Sequence, residues 1–246
     1  MKLLDLTLAT GEENLALDEA LLETAESSGQ PREVLRIWES PDPLVVIGRA
    51  SRIREEVNVS ACKEAGVPIL RRHSGGSTIV AGPGCLMYAV VLSYELRPEL
   101  QAIDQAHRFV LGTISSGMNS LHPQIAMAGT SDLTIGGQTK FSGNALRCCR
   151  THLLYHGTLL YDFDLELIGR LLLHPPRQPD YRQQRSHRDF VDNLPVPREA
   201  LHAAVINAWC AELEAESLPP LHNWPQELTE QLARERYCSR EWNWQR

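Results

Sequence analysis

The chain has 246 residues, enough for one large α/β domain or two small ones and for a full core without disulfides or metal. With 31 acidic against 24 basic residues the net charge is −7, which argues against binding duplex nucleic acid or an anionic membrane surface. No window approaches the roughly 18 apolar residues of a membrane span. The N-terminus MKLLDLTLATGEEN has no apolar signal core, and the six cysteines show no CxxC or zinc-type spacing, so a reducing, cytoplasmic setting is expected.

In chain order, residues 14–28 place Leu15, Leu17, Leu21 and Leu22 near helical spacing, and Gly29 and Pro31 end that helix. Strands are expected at 34–40 and 43–49 about a Pro-Asp-Pro turn, then a short helix at 58–66 stopped by Gly66, with Ser60 or Asn58 as its N-cap. VPILRR reads as a strand leading into a Gly-rich turn, followed by a strand pair around STIV and CLMYAVVLS. Residues 97–120 read as helix, and 131–147 as a hairpin turning at Gly136-Gly137. Residues 151–164 read as a strand pair or one long bent strand, and 165–173 as a short helix. The polar, Pro-bearing segment 174–195 is expected to be an ordered loop or a short helix, and helices around 197–216 and 226–240 close the chain. With no internal repeat, the fold class is α/β or α+β with a mixed β-sheet flanked by helices.

Two stretches carry chemistry. In LRRHSGGSTIVAGPG (70–84), Ser74, Gly75 and Gly76 allow positive φ and close backbone approach to an anion, with Arg71 and Arg72 beside them. The glycines lead into β-branched residues and not into a helix, so the pattern is not a P-loop. In SDLTIGGQTKFSGNALR, Lys140 lies on a strand between Asp132 and a second Gly-containing approach, Ser142-Gly143-Asn144, and HGTLL then supplies His156. Only Lys2, Lys63 and Lys140 are lysines. An ammonium is a compact point charge suited to bridging phosphate and carboxylate oxygens, which a planar guanidinium is not.

Taken together, NLALDEALL, LRIWESPDPLVVIGR, EVN, GVPILRRHSGGSTIV, SDLTIGGQTKFSGNALR and HGTLLYDFDL, in that order over about residues 3–165, resemble the lipoate-protein ligase A family; HRDFVDNL and the C-terminal helices match more weakly. The resemblance implies the catalytic-domain fold shared by biotin and lipoyl ligases, with residues 1–246 as a single catalytic domain. It also implies a two-step reaction in which lipoate and ATP, with Mg2+, give lipoyl-AMP, which then acylates a lysine of a lipoyl-domain carrier protein. Lys140 is the expected catalytic residue. Arg72, Gly75, Gly76 and the backbone of Ser77, Thr78, Ile79 and Val80 are the expected nucleotide site, with Asp132 and His156 completing the ligand-binding set. Apolar residues near Trp38, Val46 and Ile47 are expected to line the acyl channel. No metal ligands are expected in the protein.

The chain departs from the family pattern at Ser77, where a third glycine is common, and at Ala81-Gly82, where a His-Asp pair is common. It leaves no room for the C-terminal accessory domain of such ligases, so the expectation is either a separate accessory subunit as a partner alongside the carrier protein or a single-domain relative with altered chemistry. The alternatives are an octanoyl or lipoyl transferase of the same fold, working through a cysteine thioester, or a non-catalytic lipoyl-binding subunit. Neither HPQIAMAGTSDL nor LLLHPPRQPDY supplies the cysteine of such transferases, and Cys85, within CLMYAVV, reads as a buried structural thiol.

Overall fold

Apolar side chains alternate between the two faces of long, fully buried strands, and this sets the layers of the molecule. A computed structural model describes residues 1–245. The elements run β1 (Lys2–Asp5), α1 (Gly11–Ser27), β2 (Val34–Glu39), β3 (Leu44–Ile47), α2 (Ile53–Glu56), α3 (Val59–Ala65), β4 (Ile69–Arg71), β5 (Ile79–Ala81) and β6 (Cys85–Ser93). They continue α4 (Ile103–Met118), β7 (Ile125–Ala128), β8 (Asp132–Ile135), β9 (Thr139–Cys148), β10 (His152–Leu160), α5 (Leu165–Leu171), α6 (His187–Phe190), α7 (Arg198–Glu212), α8 (Gln226–Leu232) and α9 (Arg240–Asn243). Among the described residues no helix is long and apolar enough to cross a membrane.

A seven-stranded sheet has the order β1-β2-β6-β10-β9-β8-β7, antiparallel except for β1 with β2, and a three-stranded sheet has the order β4-β3-β5. Leu86, Tyr88, Val90 and Leu92 of β6 point toward α4 and α7, whereas Ala89 and Val91 pack with Leu17, Leu21 and Leu22 of α1. Both faces of the central strands are therefore covered, and the mixed sheet flanked by helices is as expected. The STIV and CLMYAVVLS segments do not pair, however: β5 joins β3 and β6 joins the larger sheet. Gly82-Pro83-Gly84 lies between them, with Gly84 at φ +85 wedged against the backbone at Asp162, and it redirects the chain. Residues 151–164 contain one strand, His152–Leu160, and not a strand pair, and residues 125–128, given no element in the sequence analysis, form a further strand.

Helix α1 begins at Gly11, three residues before its apolar periodicity, because Thr10 and Glu13 close a capping box. It buries polar residues as well as leucines. Arg36, fully buried on β2, donates to Asp18 Oδ1 at 2.6 Å, Asn14 Oδ1 at 2.6 Å and the Asn14 carbonyl at 2.7 Å, tying the helix to the sheet. Glu19, also buried, accepts from Tyr237 Oη at 2.7 Å and from Arg236, both placed by a π turn at Ala233–Tyr237, and lies 3.4 Å from His73 Nε2. That π turn ends α8 well short of residue 240.

Two stability predictions follow from these buried charges. Arg36→Leu leaves the Asp18 carboxylate buried without its cation and should cost about 3 kcal/mol or more in urea denaturation. Arg36→Leu with Asp18→Leu together should recover part of that loss, and equal losses in the single and double variants would remove the pair from the account. Burial, opposed by Glu19 and reinforced by Arg147, Arg236 and Arg49, pulls His73 down to about 4 from 6.5. The unfolded chain therefore takes up a proton first as pH falls, so His73 contributes its stability above pH 6.5 and loses it between 6.5 and about 4. His73→Gln should flatten the stability profile in that window, by on the order of 3 kcal/mol.

Candidate active site

A buried guanidinium fixes the Gly-rich turn between β4 and β5. Arg72 donates to the carbonyls of Gly75 (2.6 Å), Ser77 (2.9 Å) and Val46 (3.1 Å), and its Nε reaches Ser74 Oγ at 3.1 Å. Burial lowers its pKa to about 10, which leaves it charged at neutral pH. Gly76 takes φ +86 beneath this clamp, where a Cβ would stand 2.8 Å from Arg72 Nη2. The Ser74 hydroxyl, which accepts from Arg72 Nε, also shares a hydrogen bond with His156 Nε2, 2.6 Å away on β10. His156 Nδ1 in turn faces Asp18 Oδ2 at 3.5 Å. One polar chain thus links β3, the turn, β10 and α1.

Lys140 stands across the cleft on β9. The β8–β9 register shifts between Leu133 and Thr134, so Phe141 is an extra residue and the strand is bent beside the lysine. Lys140 Nζ lies 2.7 Å from Asp132 Oδ1, and Tyr181 Oη donates to Asp132 Oδ2 at 2.7 Å. Burial and the neighbouring Asp132 push the Tyr181 hydroxyl far above its ordinary pKa, so it stays a donor. Gly143 makes room for the ammonium, since a Cβ there would meet Lys140 Nζ at 2.8 Å.

The lysine lies at the junction of two cavities. One, of about 330 Å³, is walled by Leu15, Val46, Met87, Ala145 and Gly157, with Arg72, His156 and Asp132 among its polar groups. The other, of about 120 Å³, lies under α5 and α6 and is bordered by Ile168, Leu172 and Phe190 with Arg177, Arg182 and His187. Ser77, Thr78, Ile79, Lys140, Gly143, Thr158, Arg177 and Pro179 wall both. Thr78 is held by Glu56, whose Oε2 accepts from its backbone N (2.8 Å) and its hydroxyl (2.6 Å). Burial lowers the pKa of His187, and its Nε2 lies 3.1 Å from the Leu173 carbonyl.

The expected residues Arg72, Gly76, Ser77, Thr78, Ile79, Asp132, Lys140 and His156 come together around the larger cavity, and Val80 borders the smaller one. Gly75 lies apart, on the outer side of the turn, and Val46 lines the apolar wall, whereas Trp38 and Ile47 are buried in the core. Glu56, Arg177, Tyr181 and Arg182 were not anticipated. The Glu56 signal was present in EVN; the other three sit in the segment 174–195 read as an ordered loop or a short helix, which gives no periodic pattern to follow. The described residues contain no cluster of three or more His, Cys, Asp or Glu side chains able to hold a metal ion.

Residues 10–214 match the family described as the lipoyl protein ligase A/B catalytic domain. An Aeropyrum pernix protein, named provisionally as a lipoate-protein ligase A, is 32% identical over 160 residues, covering 65% of this chain and 57% of that protein. The octanoyltransferase LipM of Brevibacillus brevis is 24% identical over 263 residues, covering 95% and 94% of the two chains. Two solved structures share the fold. A lipoate-protein ligase A bound with ATP has a TM-score of 0.81 at 22% identity, covering 99% and 98% of the chains. A bipartite lipoate protein ligase, studied with its E2 lipoyl domain from Thermoplasma acidophilum, has a TM-score of 0.80 at 24% identity, covering 99% and 95%. The chain spans about half the length of the lipoate-protein ligase A relatives it matches. With its motifs, its sheet order and a match over most of its length, the chain belongs to the lipoyl protein ligase A/B catalytic-domain family.

Proposed function

We propose that residues 1–246 work as a single catalytic domain that activates lipoate with ATP and passes the lipoyl group to a lysine of a lipoyl-carrier protein. The observation that carries this reading is that Lys140 walls both a cavity sized for a medium-length acyl chain, where Leu15, Val46 and Met87 supply apolar surface, and a second cavity bordered by Arg177 and Arg182. The acyl carboxylate would enter along Leu15, Val46 and Met87 and reach the ammonium. Its oxygen attacks the α-phosphorus and pyrophosphate leaves. The carrier's lysine amine then attacks the acyl carbon and AMP leaves. In both steps negative charge grows on oxygens within reach of Lys140, which stabilises it without forming a bond. Asp132, held by Tyr181, orients the ammonium.

Arg72 donates to the carbonyls of Val46, Gly75 and Ser77, so its part in this scheme is to hold Gly76 to Ser77 open to the nucleotide, while Arg177 and Arg182 supply the charge for the phosphates. Glu56 presets the strand residues Thr78 to Val80 that would receive the adenosine. Mg2+ would enter bound to ATP, as part of the substrate. The bipartite nature of the Thermoplasma acidophilum enzyme supports a separate accessory subunit. Six free cysteines support a reducing, cytoplasmic setting.

The near full-length match to an octanoyltransferase favours a second reading, acyl transfer through a protein thioester without ATP. Against it, no cysteine lines either cavity. Cys85 is fully buried, and burial pushes its thiol far up, away from the thiolate such chemistry needs.

Mass spectrometry of an apo lipoyl domain incubated with the protein and lipoate separates the two readings. Modification that depends on Mg-ATP is expected, and modification from an octanoyl thioester alone would establish the transferase. Lys140→Ala should lower ATP-dependent modification at least 100-fold, equivalent to about 3 kcal/mol, with an unchanged melting temperature. Lys140→Arg should fail too, because the broader fork cannot occupy the same point. Cys85→Ala, Cys148→Ser and Cys149→Ser should each keep activity within about tenfold, any loss at Cys85 arising from core packing. A trapped acyl-enzyme, lost in one of these variants, would overturn the ligase reading.

A further inference from the structure

The outer side of the Gly-rich turn carries a feature that the reaction does not use. An open concavity of about 570 Å³ is lined by Arg49, His73, Gly75, Ile103, Leu146, Arg147 and Trp242 among others, and no carboxylate side chain is among its described lining residues. In a chain with net charge −7 this is a local excess of positive charge. Among the described residues neither Arg49 nor Arg147 takes part in an ion pair.

The surface is also built to stay in place. The Trp242 indole donates to the Arg71 carbonyl at 2.8 Å, stacks edge-on with Tyr237, and has the Arg236 guanidinium 5.1 Å from its ring centre. Arg49 is exposed at its side chain while its backbone N is bonded to the Ser74 carbonyl at 2.8 Å. Ile103 is 56% exposed, an unusual state for a large aliphatic residue. Two arginines outside any described ion pair and an anchored tryptophan beside Leu146 and Ile103 are the composition of a protein-binding centre.

Position supplies the occupant. Strand β9 runs continuously from Gly143, Asn144 and Ala145 on the acyl cavity to Leu146 and Arg147 in the concavity. Gly143 and Arg147 are thus about 13 Å apart along the strand. A protein that delivers a lysine into the cavity mouth covers roughly 800 Å², a patch some 16 Å in radius, and so lies over the concavity as well.

We propose that the Arg49–Arg147 concavity is the docking surface for an acidic face of the acceptor protein. The proposal rests on the ligase reading above for the identity of that partner. Charge steers the encounter, and Trp242, Leu146 and Ile103 give the bound acceptor its apolar footing.

The test is the affinity of an apo E2 lipoyl domain, measured by calorimetry with the intact protein and, in parallel, the rate of lipoyl-adenylate formation without acceptor. Arg49→Glu should weaken acceptor binding about fivefold, and Arg49→Glu with Arg147→Gln about 20-fold or more, with a flatter dependence on salt. Adenylate formation should stay within twofold. Acidic acceptor residues beside the target lysine, changed to lysine, should restore binding to the Arg49→Glu protein. If the double variant is poorly folded, Arg49→Ala alone, at an exposed position, decides the matter.

Acceptor affinity within twofold of wild type in the variants would overturn the surface, as would a wild-type chain that does not bind the domain at all. A change in oligomeric state at unchanged acceptor affinity would also overturn it, assigning the face to a second copy. Wild-type protein that binds the domain through these arginines yet forms no adenylate would sink the ligase reading and leave the docking surface standing.

Discussion

The buried polar path from Val46 through Arg72, Ser74 and His156 to Asp18 and Arg36, hydrogen-bonded at every link but the 3.5 Å contact of His156 Nδ1 with Asp18 Oδ2, is the constraint on which the site depends. Each member is deeply buried, so each must find its partner or the fold loses the desolvation energy of that group. The partners come from the small sheet, the Gly-rich turn, the large sheet and α1. Satisfying them locks these parts in one arrangement, and the turn that faces the cleft has its shape set by buried groups, of which Val46, Arg72 and His156 also line the larger cavity.

That rigidity is what makes a single lysine useful. An ammonium on a four-carbon stem is mobile unless its surroundings hold it, and an electrostatic contribution to a transition state requires a charge already in place. Lys140 is confined by the bulge in β9, by the missing side chain at Gly143 and by Asp132, which Tyr181 holds from the 174–195 segment. Lys140 thereby stands on the wall common to the two cavities, with Leu15, Val46 and Met87 in one and Arg177 and Arg182 bordering the other. In the proposed reaction the acyl group and the nucleotide meet at that charge.

Much of this was legible in the sequence, for identifiable reasons. The sheet-and-helix class followed from periodicity, and Lys140 stood out because arginine supplies nearly all the other positive charge. Ser74, Gly75 and Gly76 were read as allowing positive φ, and of the three Gly76 takes it. What sequence reasoning missed depends on distant partners. Asp18 and Glu19 look like solvent-facing residues of a helix until Arg36, Arg236 and Tyr237 are brought to them across 18 to 218 positions. Arg72 reads as a phosphate ligand until its donors are seen to turn inward to Gly75, Ser77 and Val46. The split of β5 and β6 between sheets hinges on a Gly-Pro-Gly break whose direction only the packed molecule decides. Arg177, Tyr181 and Arg182 belong to a segment without periodicity, so nothing in their spacing pointed to the cleft.

The central claim is that Lys140 serves the formation of an acyl adenylate, and isotope exchange tests it without any acceptor protein. Labelled pyrophosphate should enter ATP only when lipoate is present, and the exchange should vanish with Lys140→Ala and persist with Cys85→Ala. Exchange that is absent from the wild-type protein, or unaffected by the loss of Lys140, would contradict the account.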